Sequence, residues 1–179
     1  TCQISGSHTM STLKFTSPSV QPWLYLYSNN TIDTLQLHHG MDVYFGANQT
    51  QTMKALIANG LCTRSIDLFS TTSGTQATLS DLTDVNALEF VTIKDIKVQG
   101  GAVWNASTLA NISNNTGWTF VTPVAQTYYW IGGVGNWSDV TKWSLSSGGT
   151  SAGCLPTSAD HVIFDNNSFP GANQTVTLN

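Results

Sequence analysis

Charge is what this chain has least of. Only 9% of its 179 residues are charged, against roughly 25% in an ordinary soluble domain. Glu89 is the sole glutamate and Arg64 the sole arginine. Strong helix formers are thereby nearly absent, which argues against a helical fold. A net charge of −4 leaves no cationic surface for phosphates, so nucleic acid is not an expected partner. Long apolar runs are missing too. The longest clusters, residues 23–27 and 55–58, fall far short of the roughly 20 residues that span a bilayer, so this segment is not expected to insert in a membrane. The start, Thr1-Cys2-Gln3-Ile4, lacks the basic and apolar regions of a signal peptide. Patterned sequence at both ends reads as a window of a longer protein. Cysteine is sparse and odd in number: Cys2, Cys62 and Cys154 contain no CxxC, which argues against a closed zinc site.

What fills the space is Asn, Thr, Ser and Gly among 40% hydrophobic residues, too apolar for disorder and suited to strands and turns. Apolar positions recur at a steady interval. Leu13, Leu24, Leu35, Phe45, Leu56, Leu68, Leu79 and Phe90 are separated by 11, 11, 10, 11, 12, 11 and 11 residues. Within each segment the period is two, as in Leu24/Leu26 and Ile66/Leu68, so each has one buried face. His39-Gly40, Asn59-Gly60, Ser73-Gly74 and Gly100-Gly101 are turn punctuation. Two steps make a coil of about 22 residues, which suits a parallel β-helix with stacked rungs. This places Leu24, Leu35, Leu56, Leu68 and Leu79 inward. Antiparallel β-sandwich repeats would give the same spacing and are the alternative. Near Lys94-Asp95 the apolar parity slips, as at a rung corner or a bulge. Gly46-Ala47-Asn48-Gln49-Thr50 recurs as Gly171-Ala172-Asn173-Gln174-Thr175, which suggests internal repetition.

Two longer patterns carry a family resemblance. Residues 65–120 contain Ile66-x-Leu68-x-Ser70-Thr71, then Val91-x-Ile93-x-Asp95-Ile96, Gly100-Gly101-x-x-Trp104-Asn105-Ala106 and Asn114-Asn115-Thr116-Gly117-Trp118-x-Phe120. Residues 128–169 contain Tyr129-Trp130-x-Gly132-Gly133-x-Gly135-Asn136-Trp137-Ser138-Asp139, then Cys154-x-Pro156-Thr157 and Asp160-x-Val162-x-Phe164-Asp165. The first is similar to the close, and the second to the opening, of repeats in very large surface adhesins of gliding Bacteroidota exported by type IX secretion. The resemblance implies right-handed parallel β-helices spanning a repeat junction. Residues 1–120 would close one repeat, 121–127 would connect, with Pro123 as breaker, and 128–179 would open the next. It also implies a secreted, outer-membrane-attached location on the bacterial cell surface, and polysaccharides or motility components as partners. In that frame Cys154 is expected to bond a cysteine beyond residue 179.

Function is then expected to be non-catalytic and adhesive. The alternatives are part of a β-helix carbohydrate-active enzyme or an accessory glycan-binding module. Nine Asp and one Glu are scattered, whereas acid–base work needs convergent groups. Asp33, Asp42, Asp67, Asp81, Asp84 and Asp95 are expected to be separately solvated. Trp23, Tyr25 and Tyr27 alternate with Leu24 and Leu26; with the leucines inward, these aromatics form an outer patch suited to glycan contact. Trp130, Trp137 and Trp143 read as packing residues. Asp33-Thr34-Leu35 resembles the O-glycosylation motif of Bacteroidota, with Thr34 as acceptor. No cofactor is expected. Asp165-Asn166-Asn167-Ser168 offers oxygen ligands for calcium but suits an Asx-turn better. His38 and His39, adjacent on a strand end, are expected on opposite faces. Gly132-Gly133-Val134-Gly135 reads as a tight corner.

Overall fold

The computed structural model describes residues 1–16, 23–121 and 124–179, and Pro123 of the expected connector lies outside them. The chain forms two compact units, Thr1–Thr122 and Pro123–Asn179. The first is built of β1 (Cys2–Ile4), β2 (Thr9–Lys14), β3 (Trp23–Leu26), β4 (Asn30–Leu37), β5 (Asp42–Phe45), β6 (Thr50–Ala58), β7 (Ile66–Ser70), β8 (Ala77–Ser80), β9 (Val85–Lys94), β10 (Ile96–Gln99), β11 (Val103–Ser113) and β12 (Thr119–Val121). The odd strands together with β12 make one sheet in the order β1-β3-β5-β7-β9-β11-β12, and the other even strands make the second, β10-β8-β6-β4-β2. Every pairing within the two sheets is parallel. This is a β-solenoid whose first ten strands make five two-stranded coils, and it rules out the antiparallel sandwich.

The eleven-residue step is half a coil: it carries the chain from one sheet to the other. Leu24, Val43, Leu68 and Ile93 are register partners on successive odd strands. Leu13, Leu35 and Leu56 stack in the same way on even strands. Leu24, Leu35, Leu56, Leu68 and Leu79 all lie in one continuous buried core. Each rung thus buries its face only through its neighbours. Phe90 departs from the step. It is 37% exposed with φ of 49°, and β11 skips it in register, pairing Ser107 with Glu89 and Thr108 with Val91. This bulge moves the inward parity from Leu88 to Val91 and Ile93. Gly60 lies beside it; a Cβ there would strike the Phe90 carbonyl.

A second break in alternation is itself a repeat. Thr9-Met10-Ser11-Thr12-Leu13, Thr31-Ile32-Asp33-Thr34-Leu35 and Thr52-Met53-Lys54-Ala55-Leu56 align residue for residue across β2, β4 and β6. Met10, Ile32 and Met53 point inward, as do the leucines three positions on. The two intervening residues lie outside that core in each strand, so the sheet bends at the same place in three coils. The Lys94-Asp95 slip is a corner. Asp95 has φ of 58° and is buried, where it accepts bonds from Gly74 N–H (3.0 Å) and Asn114 Nδ2 (2.8 Å). Asp81, also buried, accepts from Thr83 N–H and Asn86 Nδ2. These two carboxylates are structural corner residues and not the solvated groups expected. A further corner holds an amide ladder. Asn30 Nδ2 donates to Gln51 Oε1 (2.9 Å), and both amides donate to the Ser28 carbonyl, which satisfies polar groups that burial would otherwise penalise.

The second unit contains β13 (Thr127–Trp130), β14 (Gly135–Asn136), a 3₁₀ turn (Val140–Lys142), β15 (Trp143–Ser144), β16 (His161–Ile163) and β17 (Val176–Thr177). β13 pairs antiparallel with β15 and parallel with β16, and β14 pairs parallel with β17. Trp130 and Trp143 are fully buried and meet edge to face at 4.9 Å, with Trp137 against Trp143 at 4.6 Å. Their indole N–H groups donate to the Gly133 and Trp137 carbonyls, so all three tryptophans serve packing. Gly132 and Gly133 have φ of 85° and 70°, the corner expected of that glycine run. The two Gly-Ala-Asn-Gln-Thr segments share a conformation. Asn48 and Asn173 are both left-handed, at 60° and 55°, and each segment leads into a strand.

Candidate functional site

Strand alternation builds the outer face of the odd-strand sheet. With Leu24 and Leu26 in the core, Trp23 and Tyr25 point outward from β3, and Tyr27 follows them. By the same alternation Asp42 and Tyr44 leave β5, and Asp67 and Phe69 leave β7. Register then sorts them into two rows. Trp23, Asp42 and Asp67 are consecutive partners, as are Tyr25, Tyr44 and Phe69. Neighbouring strands are about 4.8 Å apart, so the two carboxylates are adjacent on the sheet.

The aromatic row is a stack. Tyr25 lies on Tyr44 at 4.7 Å and 10°, and on Tyr27 at 5.4 Å and 15°; Tyr44 meets Phe69 at 5.8 Å and 59°. The ring faces of Tyr25 and Tyr44 are therefore occupied by each other and by their neighbours. The residues with most exposed surface are Trp23 (47%) and Tyr27 (41%), roughly 13 Å apart along an extended chain at about 3.3 Å per residue. Partial burial pushes the Tyr44 phenol up from its ordinary pKa, with Asp42, Tyr25 and Asp67 adding to the effect. Asp67 accepts a bond from Ser65 Oγ (3.0 Å). At the far end Lys94, the register partner of Phe69, donates to Ser73 Oγ (2.9 Å). The face thus combines an exposed indole, phenols and paired carboxylates, a set that can stack on sugar rings, accept hydrogen bonds and attract cations.

Thr34 lies in β4 beside Thr12 and Ala55 of the adjoining coils. Its neighbour Asp33 forms an ion pair with Lys54 (3.0 Å). On the same sheet a groove of about 440 Å³ is lined by Ser7, His8, Thr9, Asn29, Asn30, Thr31, Thr50 and Thr52. A smaller one, about 230 Å³, adds Asp33, Lys54 and Asp81. Neither groove was foreseen. The sequence signal was the recurring Thr that opens the bend repeat at Thr9, Thr31 and Thr52.

His38 and His39 do not diverge. They sit in the turn after β4, with Gly40 at φ of 77°, and their rings approach to 3.9 Å. Arg64 packs where a Gly40 Cβ would lie. Burial, then His38, then Arg64 hold the His39 pKa below its ordinary value, and His39 Nδ1 is buried without a hydrogen-bond partner. Asp165 forms the expected Asx-turn, accepting from Asn167 N–H (2.9 Å). Asp160 ties down its own turn. Burial opposes its charge, but hydrogen bonds from Gln126 N–H and from the Thr157 hydroxyl and N–H prevail and keep its pKa low. Cys62 and Cys154 are both disulfide-bonded, and Cys2 is an exposed free thiol. Among the described residues no three His, Cys, Asp or Glu side chains group as a metal site, and no helix is long and apolar enough to cross a membrane.

Compared with protein-family models, curated proteins and solved structures, the chain matches none.

Proposed function

We propose that the chain is a non-catalytic, adhesive segment of a secreted bacterial cell-surface adhesin, serving gliding motility or attachment, and that its odd-strand sheet face contacts surface polysaccharides. The observation that carries this reading is the ordered outer face of Trp23, Tyr27 and the Tyr25–Tyr44 stack beside Asp42 and Asp67. A solenoid holds such a face rigidly, because each rung is fixed by the rungs on either side. Its preformed geometry keeps the ordering cost of binding low. Export and location on the cell surface rest on the resemblance of residues 65–120 and 128–169 to gliding adhesin repeats.

The enzyme reading finds its nearest support in the groove with Asp33, Lys54 and Asp81. There Asp81 is occupied by Thr83 N–H and Asn86 Nδ2, and Asp33 and Lys54 neutralise each other in solvent. That arrangement supports turn formation better than proton transfer. The test is retention of the purified chain on a panel of immobilised polysaccharides, with reducing ends assayed in the flow-through. Retention weakened by Trp23→Ala, with no reducing ends released, is the expected result. Release of reducing ends that stops on Asp33→Asn or Asp81→Asn would establish the enzyme instead.

A further inference from the structure

Basic side chains are few, yet His38, His39 and Arg64 meet at one corner of the first unit. The histidines lie in the turn after β4, and Arg64 stands in the loop before β7. Backbone bonds fasten these segments together. Gly40 N–H donates to the Ser65 carbonyl (2.8 Å), and Leu61 and Arg64 each donate to the other's carbonyl (3.0 and 2.9 Å). The Arg64 guanidinium is packed against Gly40, with Nε, Nη2 and Cζ at 2.9, 3.0 and 3.2 Å from where a Cβ would lie. That contact and a φ of 77° both call for glycine.

Held in this way, Arg64 lacks an acceptor. Among the described residues the one ion pair joins Lys54 to Asp33, and the Arg64 side chain donates no hydrogen bond. His38 Nδ1 is committed to the His39 carbonyl (3.0 Å). His39 Nδ1 is the one buried side-chain nitrogen or oxygen of the described residues without a partner. Burial, His38 and Arg64 lower the His39 pKa, with no carboxylate opposing them. The carboxylates of the adjoining strands, Asp42 and Asp67, act on Tyr44 instead, and Asp67 accepts from Ser65 Oγ. The corner thus offers donors and no acceptor, and a guanidinium fork matches the paired oxygens of a carboxylate or sulfate.

We infer that this corner binds a carboxylate or sulfate group, with Arg64 as its principal contact. The site is separate from the aromatic face and does not depend on it. The test is calorimetry on the whole chain at about pH 7, where uronates are ionised. The probes are an oligogalacturonate, its fully methyl-esterified counterpart and inorganic sulfate. The oligouronate should bind at least about tenfold tighter than the ester, as charge-assisted bonds require. Arg64→Gln should remove that preference. Lys97→Gln, which deletes one positive charge at an exposed position of β10, should leave it intact, as should Trp23→Ala. An anion on Arg64 offsets one cause of the lowered His39 pKa, so saturating oligouronate should raise the His39 titration followed by NMR.

Equal binding of oligouronate and ester would overturn the site. So would a loss from Lys97→Gln equal to that from Arg64→Gln, which would reduce the effect to bulk charge. Oligouronate binding that left the His39 titration unmoved, or that vanished with Trp23→Ala, would place the anion elsewhere and overturn the inference. Sulfate as tight as the oligouronate would support the site with a free anion as occupant, and much weaker sulfate would support it with an acidic glycan.

Discussion

Phe45 and Phe90 occupy equivalent places in the eleven-residue step, and the structure gives them opposite fates. Phe45 is fully buried, while Phe90 is 37% exposed with a left-handed φ of 49°. Phe45→Ala removes a core ring, at a cost of about 3–5 kcal/mol. Phe90→Gly gives up the covered part of a ring, on the order of 1–2 kcal/mol. It recovers about 1–2 kcal/mol by relieving a left-handed bulky residue. The second change should therefore lie within about 1 kcal/mol of neutral. With a urea m-value of about 2 kcal/mol/M, the two midpoints should differ by roughly 1–3 M. Far-UV circular dichroism during urea denaturation reads this directly. Equal losses would refute the bulge at Phe90 and return the inward parity to residue 90.

Three further outcomes follow from single contacts. Mild acid should weaken the first unit through His39. His39 has a lowered pKa in the folded state, so the unfolded chain takes up its proton first. Stability is full above the unfolded value of about 6.5 and falls as pH drops towards the folded value, then levels off for this group. His39→Gln should flatten that slope in urea midpoints taken from about pH 8 to 5. Gly100→Ala would press a Cβ onto the Asp81 carbonyl at a φ of 100°. It should cost about 2–5 kcal/mol from left-handed strain and overpacking together, read as a lowered melting temperature. Thiol titration of the native, unreduced chain should count one group, and Cys2→Ser should abolish it.

Much of the fold was legible because one physical requirement repeats. A solenoid rung must bury one face, so the inward Leu and Phe positions return every half coil, and that interval is visible in a single sequence. The breaks were harder to read. The Asp95 corner showed itself as a parity slip, but a slip does not reveal whether the carboxylate at the corner is solvated or buried. The Phe90 bulge also leaves a slip, from Leu88 and Phe90 to Val91 and Ile93, but Phe90 falls on the eleven-residue step and so reads as one more inward position. The bend at Ser11-Thr12, Asp33-Thr34 and Lys54-Ala55 was readable as a Thr-apolar-x-x-Leu repeat, though strict period-two reasoning hides it. Candidate site residues on one strand were accessible for the same reason as the core. Asp42, Tyr44, Asp67 and Phe69 were not, because their meeting with Trp23 and Tyr25 depends on interstrand register, which no local pattern encodes.

The outer face also carries an argument of its own. Inward columns such as Leu24–Val43–Leu68–Ile93 supply the stabilisation a rung requires, and the charge on a residue between them adds nothing to that burial. Trp23, at 47% exposed, leaves much of its indole surface in water. A surface shaped by solubility alone would replace the indole with a polar residue, as the exposed threonines do at Thr9, Thr31 and Thr52 on the other sheet. An indole left in water on a rigid face is the pattern that the proposed polysaccharide contact requires, because its surface is then available without rearrangement of the rungs.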